Sequence, residues 1–222
     1  MPLFDVIDLF LDGTPRSGPE QMALDEALLE NAERPLLRPY RWAGPAVSFG
    51  YSQSIASVRQ QFPSPPCVRR WTGGGIVGHQ GDWTFALIVP SHEPLAGVRP
   101  QEAYRMVHAE VMVALNSLGC SARLADPLDC QDGTVCFASL ALSDVIGPGR
   151  CKLCGGAQRR TRRGFLHQGS IQNALLPQDF AVRLLDGMAA ETHPFSPRPA
   201  NLARARELVA AKYGTTTWLE RV

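Results

Sequence analysis

Three consecutive glycines at 73–75, entered from Arg69-Arg70-Trp71-Thr72 and left through Ile76-Val77, constrain this chain more than any other stretch. Glycine at three successive positions rules out a stable helix there and permits positive φ and close approach of the backbone to a partner. The flanking segments Val68–Trp71 and Thr84–Val89 are rich in β-branched and aromatic residues and read as strands. A glycine-rich turn therefore lies between two strands, with two guanidinium groups at its entrance. Arginine pairs with a carboxylate or phosphate through two donors. Together these features suit a thioester carbonyl, a carboxylate or an acyl phosphate; equally, they suit a flexible hairpin with exposed arginines. The loop is not a P-loop, because no Gly-Lys-Ser/Thr comes after it, and it is not G-x-G-x-x-G.

The remaining chain alternates short strands with helices. Residues 3–10 read as a first strand, and Ser17-Gly18-Pro19-Glu20 starts a helix running through Met22, Leu24, Ala27 and Leu28. Pro35 and Pro39 are expected to end that region. Short strands are expected at Tyr40–Trp42 and Ala46–Phe49, a short helix near 53–60 capped by Ser52, and an extended segment at 62–66. Tyr104, Val107, Val111, Leu115 and Leu118 recur at helical spacing over 101–118, and Gly119 supplies a stop. Later strands are expected near 121–124, 134–138, 143–146, 151–154, 157–160 and 166–174, with helices near 178–189 and 201–213. This pattern predicts an α/β or α+β fold with a mixed sheet. No repeat or low-complexity segment is present. The best candidate boundary is 192–200, and the segment beyond it is too short for a separate domain, so 1–222 is expected to be one domain.

Net charge is +1 with a pI near 7.7, which provides no global field for nucleic acid or an anionic membrane. No apolar run approaches the ~20 residues needed to span a bilayer. The N-terminus carries acids early and lacks a basic region, so it does not read as a signal peptide, and a cytoplasmic protein is expected. The six cysteines are then not a disulfide framework.

A second segment, Arg150-Cys151-Lys152-Leu153-Cys154-Gly155-Gly156-Ala157-Gln158-Arg159-Arg160, sets a lysine beside a glycine pair. Such a lysine can come close to a bound acyl group, shuttle a proton or polarise a carbonyl. Alternatively it is the tip of a solvated hairpin. Cys151-x-x-Cys154 also admits a redox or zinc reading. Zinc would need further ligands from Cys130, Cys136 or His167, whose spacings are irregular, and no metal site is assigned.

Taken together, these segments resemble the lipoate-protein ligase, octanoyltransferase and biotin-protein ligase superfamily. Arg69 through His79 is similar to its Arg-Arg-x-x-Gly-Gly-Gly-x-Val-x-His motif, and Lys152 through Arg160 to its Lys-Ile-x-Gly-Ser-Ala-Gln-Arg-Arg motif. Leu166-His167-Gln168-Gly169-Ser170-Ile171 is similar to its His-His-Gly-Thr/Ser strand. Met22 through Leu28 and Tyr40 through Tyr51 agree as well, so the resemblance spans about residues 5–190 in the family's order. It implies a class II synthetase-like mixed β-sheet with flanking helices and an acyl chain held in a tunnel. The carbonyl would lie between the glycine loop and Lys152, with Arg70, Gly73, Gly74, Gly75, His79, Gly155, Gly156, Ala157 and His167 binding substrate. The biotin branch's Gly-Arg-Gly-Arg-x-Gly-Arg loop is absent. The ligases read His-Asp-x-Gly-Asn where this chain has His79-Gln80-Gly81-Asp82; Gln168 replaces one histidine and Gly156 a serine.

Within the superfamily, the ligases activate lipoate with ATP and commonly carry an accessory domain, for which this chain has no room. The octanoyltransferases most similar to them carry a cysteine in a Cys-Phe pair before the lysine motif. Cys136-Phe137 occupies that place, sixteen residues before Lys152. The resemblance thus implies a cysteine-dependent octanoyl or lipoyl transferase with Cys136 and Lys152 catalytic. No cofactor is required beyond the octanoyl thioester donor; in the alternative, a split ligase, ATP and lipoate would be needed. The implied partners are acyl carrier protein and a lipoyl carrier domain, either the glycine-cleavage carrier or a dehydrogenase E2; the protein itself is expected to be a monomer.

Overall fold

The structure is a computed structural model that describes residues 2–130 and 140–221. The strand expected near 134–138, and Cys136 with it, lie outside the described residues.

The chain runs β1 (Phe4–Leu9), β2 (Asp12–Arg16), α1 (Gly18–Glu30), β3 (Leu36–Trp42), β4 (Ala46–Phe49), α2 (Ile55–Gln61), β5 (Cys67–Arg69), β6 (Ile76–His79) and β7 (Trp83–Pro90). It continues through α3 (Pro94–Gly97), α4 (Pro100–Ser117), β8 (Arg123–Leu124), β9 (Val145–Ile146), β10 (Lys152–Thr161), β11 (Gly164–Ile171), α5 (Phe180–Met188), β12 (Ala189–Pro194), α6 (Pro199–Leu208) and α7 (Thr216–Leu219). Among the described residues, the main mixed sheet has the order β12-β1-β3-β7-β11-β10-β9-β8, with β2 also alongside β3. A small second sheet, β5-β4-β6, lies apart from it.

Strand β7 shows why the main sheet sits mid-molecule. Phe85, Leu87 and Val89 enter one core with residues of α4 and α5, while Ala86 and Ile88 enter another with residues of α1 and α6. A strand covered on both faces reads as an unbroken apolar run, as Trp83–Pro90 does. Burying each such Phe, Leu or Ile contributes roughly 1.5–3 kcal/mol. Helix α1 begins where the sequence places it: Glu20 accepts from the Ser17 N–H at 2.8 Å and from its hydroxyl at 2.6 Å, closing a capping box.

Several elements differ from expectation. Strand β3 starts at Leu36 and runs through Pro39. The Leu37 carbonyl accepts from the Phe10 N–H on the β1 side, so Pro39, two residues on, turns its missing N–H the same way. There β3 changes neighbour from β1 to β2, and no ladder bond is lost. The short helix begins after Ser54 rather than Ser52. The glycine run leads into a further strand, β6, because its Phe49–Ile76 and Val47–Gly78 pairings with β4 extend the hairpin. The strands expected at 151–154 and 157–160 form one continuous β10, since Gly155 and Gly156 stay in register with Ser170 and Gly169. The proline-rich 192–200 stretch begins inside β12, an edge strand parallel to β1, and ends inside α6. Proline is tolerated at such an edge.

Candidate active site

A cleft opens between the two sheets. Its floor is the main sheet: Tyr40 and Trp42 of β3, Thr84 of β7, Gln168–Ser170 of β11 and Gly155–Ala157 of β10, with Met22 of α1 beneath. Its roof is the small sheet and the glycine loop: Ser48 of β4, Val77 and His79 of β6, Arg70 and Gly74. Gly74 has φ +80°, a left-handed conformation that favours glycine, and a Cβ there would lie 3.4 Å from that of Ala157 and 3.3 Å from Arg70 Nη2. The glycine loop therefore comes down on β10.

The two arginines before the loop point opposite ways, as successive strand residues do. Arg70 faces the cleft. It donates to Ser48 Oγ at 2.7 Å and to the carbonyls of Gly73 and Gly75 at 3.0 and 2.8 Å, curling the loop round its guanidinium. Arg69 faces away. Its five donors reach the carbonyls of Tyr51, Gln53, Trp218, Leu219 and Arg221, which fastens α7 behind the loop.

In the roof, Ser48 Oγ lies 2.7 Å from His79 Nε2, and His79 Nδ1 lies 2.8 Å from Asp82 Oδ2. Asp82 also accepts from Thr84 at 2.8 Å and Ser170 at 2.6 Å. The carboxylate can only accept, so His79 donates from Nδ1 and takes the Ser48 proton at Nε2. Burial pushes Asp82 up, but the donors around it outweigh this and hold its carboxyl below the usual range. Burial lowers His79 further than Asp82 raises it, so the imidazole is neutral near pH 7. The spacing matches a nucleophile–base–orienter array. Ser48, however, sits mid-strand, is 1% exposed and has its oxygen engaged by Arg70, so the array works as a rigid roof. Trp42 stacks on His79 at 4.0 Å between centroids and donates to Thr84 at 2.9 Å, closing that end.

On the floor, Lys152 is 7% exposed and its ammonium donates to Asp144 Oδ2 at 2.7 Å. A Cβ on Gly155 would lie 2.5 Å from Lys152 Cε and 2.8 Å from Nζ. Only glycine lets the lysine lie across the strand at this point. A Cβ on Gly156, on the opposite face of β10, would lie 2.6 Å from His167 Nε2. Behind that glycine, Tyr104, His108 and His167 form a buried aromatic cluster, with centroids 4.0 Å apart for Tyr104–His108 and 5.2 Å for His108–His167. Burial lowers both imidazoles, His108 to about 3 and His167 well below its ordinary value.

The structure therefore brings Arg70, Gly74, His79, Lys152, Gly155, Gly156 and Ala157 to one cleft. Gly73 and Gly75 flank it and accept from Arg70 through their carbonyls. His167 stands behind the floor and is not among the cleft-lining residues. Cys136 lies outside the described residues; among the described ones, the Ala141 N–H donates to the carboxylate that holds Lys152, at 2.7 Å. Cys154 is buried in the core, where desolvation raises its thiol pKa, while Cys151 is exposed. Among the described residues, no three His, Cys, Asp or Glu side chains gather as a metal site.

Sequence reading missed Asp144, Tyr104, Ser48 and the role of Gln168. Nothing local marks Asp144 or Tyr104. Asp82 could have been found, since it restores three residues on the carboxylate that the ligases carry directly after their histidine. Gln168 ties the floor to α1 and the loop: it donates to Asp25 at 2.7 Å and accepts from Thr72 at 2.8 Å.

This architecture, a mixed sheet roofed by a small sheet with a glycine loop folded over the cleft, is the fold of the lipoate-protein ligases. A bi-partite lipoate protein ligase from Thermoplasma acidophilum matches with TM-score 0.76 at 20% identity, covering 98% of this chain and 96% of that one. A lipoate-protein ligase A bound with ATP matches at TM-score 0.74 and 20% identity, covering 99% of each. The chain belongs to the lipoyl protein ligase A/B catalytic domain family, whose model matches residues 17–189. An octanoyltransferase LipM from Oceanobacillus iheyensis is 32% identical over 73% of this chain, which spans 62% of that relative's length. An octanoyltransferase LipM from Symbiobacterium thermophilum is 32% identical, covering 91% of this chain and 84% of the relative. Among the described residues, no helix is long and apolar enough to cross a membrane.

Proposed function

We propose that this protein transfers an octanoyl or lipoyl group from acyl carrier protein to a lysine of a lipoyl carrier domain, through a thioester on Cys136. The observation that carries this reading is Lys152, held by Asp144 over Gly155 in the lining of the cleft under the glycine loop. The octanoyltransferase relatives support the acyl group, and the Thermoplasma ligase, described together with an E2 lipoyl domain, supports the acceptor.

In the first step the Cys136 sulfur forms a bond to the donor's carbonyl carbon, and the carbon–sulfur bond to the carrier breaks. The Lys152 ammonium gives a proton to the departing carrier thiolate and takes the Cys136 thiol proton in its place. In the second step the acceptor amine attacks the stored thioester, the bond to Cys136 breaks and an amide remains. The amine's proton passes through Lys152 back to the cysteine. Because the thioester donor is already activated, neither step needs ATP.

Intact mass spectrometry after mixing with octanoyl-carrier protein tests the reading. One octanoyl group should appear on Cys136, and it should be absent from Cys136→Ala. Full transfer by that variant would refute the covalent route. The bi-partite character of the Thermoplasma ligase favours a second reading, the catalytic half of a split ligase. Lipoate-dependent ATP/pyrophosphate exchange, with no response to the carrier thioester, would select it.

A further inference from the structure

We propose that Tyr104 is a positioning residue of the transfer reaction, one hydroxyl that sets both Lys152 and the backbone wall beside it. This rests on the catalytic reading of Lys152 given above.

The Tyr104 hydroxyl donates to Asp144 Oδ1 at 2.6 Å and accepts from the Gly156 N–H at 3.0 Å. The other oxygen of Asp144 accepts from Lys152 at 2.7 Å and from the Ala141 N–H at 2.7 Å. The hydroxyl thus stands between the two parts of the cleft that would meet an acyl carbonyl, the ammonium and the Gly155–Gly156 wall.

Topology explains why this joint is needed. Strand β10 is paired with β9 at Lys152 and Cys154, across a register shift. Beyond Cys154 the β9-facing edge of β10 has no strand partner among the described residues, and the Gly156 N–H turns to Tyr104 instead. Without that bond the half-buried N–H would be left orphaned, at a cost that scales with its burial, and the strand edge would be freer to move. Helix α4 crosses this edge, and Tyr104, in its second turn, closes it. Glycine at 155 and 156 leaves this part of the strand without side-chain packing of its own, which makes the external bond more important.

The chemistry of the hydroxyl fits one role. Burial and the adjacent Asp144 carboxylate raise the phenol pKa well above its ordinary value, so the group stays protonated and donates to Asp144 at all working pH values. Asp144, 1% exposed, then has one oxygen fixed by Tyr104 and the other left for Ala141 and Lys152. Tyr104 does not line the cleft, so it acts through its neighbours.

A double-mutant cycle with Tyr104→Phe and Asp144→Asn tests this. For Tyr104→Phe, kcat for octanoyl transfer should fall by about tenfold or more, a part of the roughly 10²–10⁴ that general acid–base catalysis contributes. KM for the octanoyl donor should stay within about twofold, the signature of lost transition-state rather than uniform binding. Labelling of Lys152 by an amine-reactive reagent, read by peptide mass spectrometry, should accelerate in the variant. The double variant should be no slower than Asp144→Asn alone. Strictly additive losses, or full activity in Tyr104→Phe, would overturn the proposal. Should Tyr104→Phe not fold, the Asp144 arm still decides: Asp144→Asn with unchanged kcat and unchanged Lys152 labelling overturns it. Lys152→Ala measured alongside separates the two levels, because its full activity would refute the catalytic reading itself.

Discussion

Gly155 and Gly156 show how much a missing side chain specifies. One makes room for Lys152 on the cleft side, the other for His167 on the core side. Gly155→Ala should push the ammonium off Asp144 and lower kcat by about tenfold or more; because this parts a buried ion pair, the melting temperature should fall as well. Steady-state kinetics beside a thermal scan check both. The histidine side carries a pH prediction. His108 titrates at about 3 and His167 is lowered well below 6.5, both through burial, so each is neutral when folded and protonates at its ordinary value when unfolded. The unfolded chain thus binds more protons as pH falls, and stability declines below about pH 6.5 by up to about 1.4 kcal/mol per pH unit for each histidine, the His108 part continuing toward about 3. Denaturant unfolding across that range should show the slope, and His108→Gln should flatten it. The glycines were legible as a motif; here the serine usual at position 156 would need the His167 imidazole to shift, since a Cβ would lie 2.6 Å from its Nε2. The cluster behind them could not be read, since Tyr104, His108 and Asp144 meet His167 only through tertiary packing.

At the level of elements, the Arg69-Arg70 pair shows a limit of sequence reading. Two adjacent arginines before a glycine loop look like one anion-binding pair. Strand alternation sends Arg70 to the cleft and Arg69 the other way, where five backbone carbonyls, three of them in the C-terminal segment, satisfy it. The carbonyls come from α7 and from the turn after β4, both outside the motif. Arg69→Met keeps the stem but leaves those acceptors without a donor, so it should cost about 2–4 kcal/mol in chemical denaturation. Amide exchange should rise locally at residues 214–221. An unchanged exchange pattern there would show that α7 is held by Trp218 and Leu219 packing instead. The same contrast runs through the strands: β7 was legible because burial on both faces makes a long apolar run, whereas Pro39 and the 192–194 segment looked like breaks. Each proline lies where the sheet needs no N–H, which is a property of neighbouring strands that their own residues do not display.

Across the whole molecule, one buried ionic knot ties the core on the α1 side of the main sheet to the cleft. Arg38 is 0% exposed and pairs with Asp12 at 2.7 Å and Asp25 at 2.5 Å, while also donating to Gln21. Asp25 passes the connection to Gln168, and Gln168 to Thr72 at the base of the glycine loop. The Met22–Leu28 stretch thus owes its pattern to two tasks: its apolar residues pack under β7, and Asp25 reaches through to the loop. Arg38 interrupts an otherwise apolar strand, and only the assembled sheet shows why it is charged. Removing one member of such a knot leaves uncompensated buried charge, so Arg38→Met should lose about 3–5 kcal/mol. Arg38→Lys should recover only part, since one ammonium cannot span three acceptors held in a planar fork. Gln168→Leu separates the loop from the knot without unpairing Arg38. It should cost less than Arg38→Met in stability while raising KM for the acyl donor, because the loop over the cleft loses its tie to α1. Denaturation curves and donor titrations on the three variants test this division: equal stability losses, or a KM unchanged in Gln168→Leu, would mean that the loop is held without the tie to Gln168.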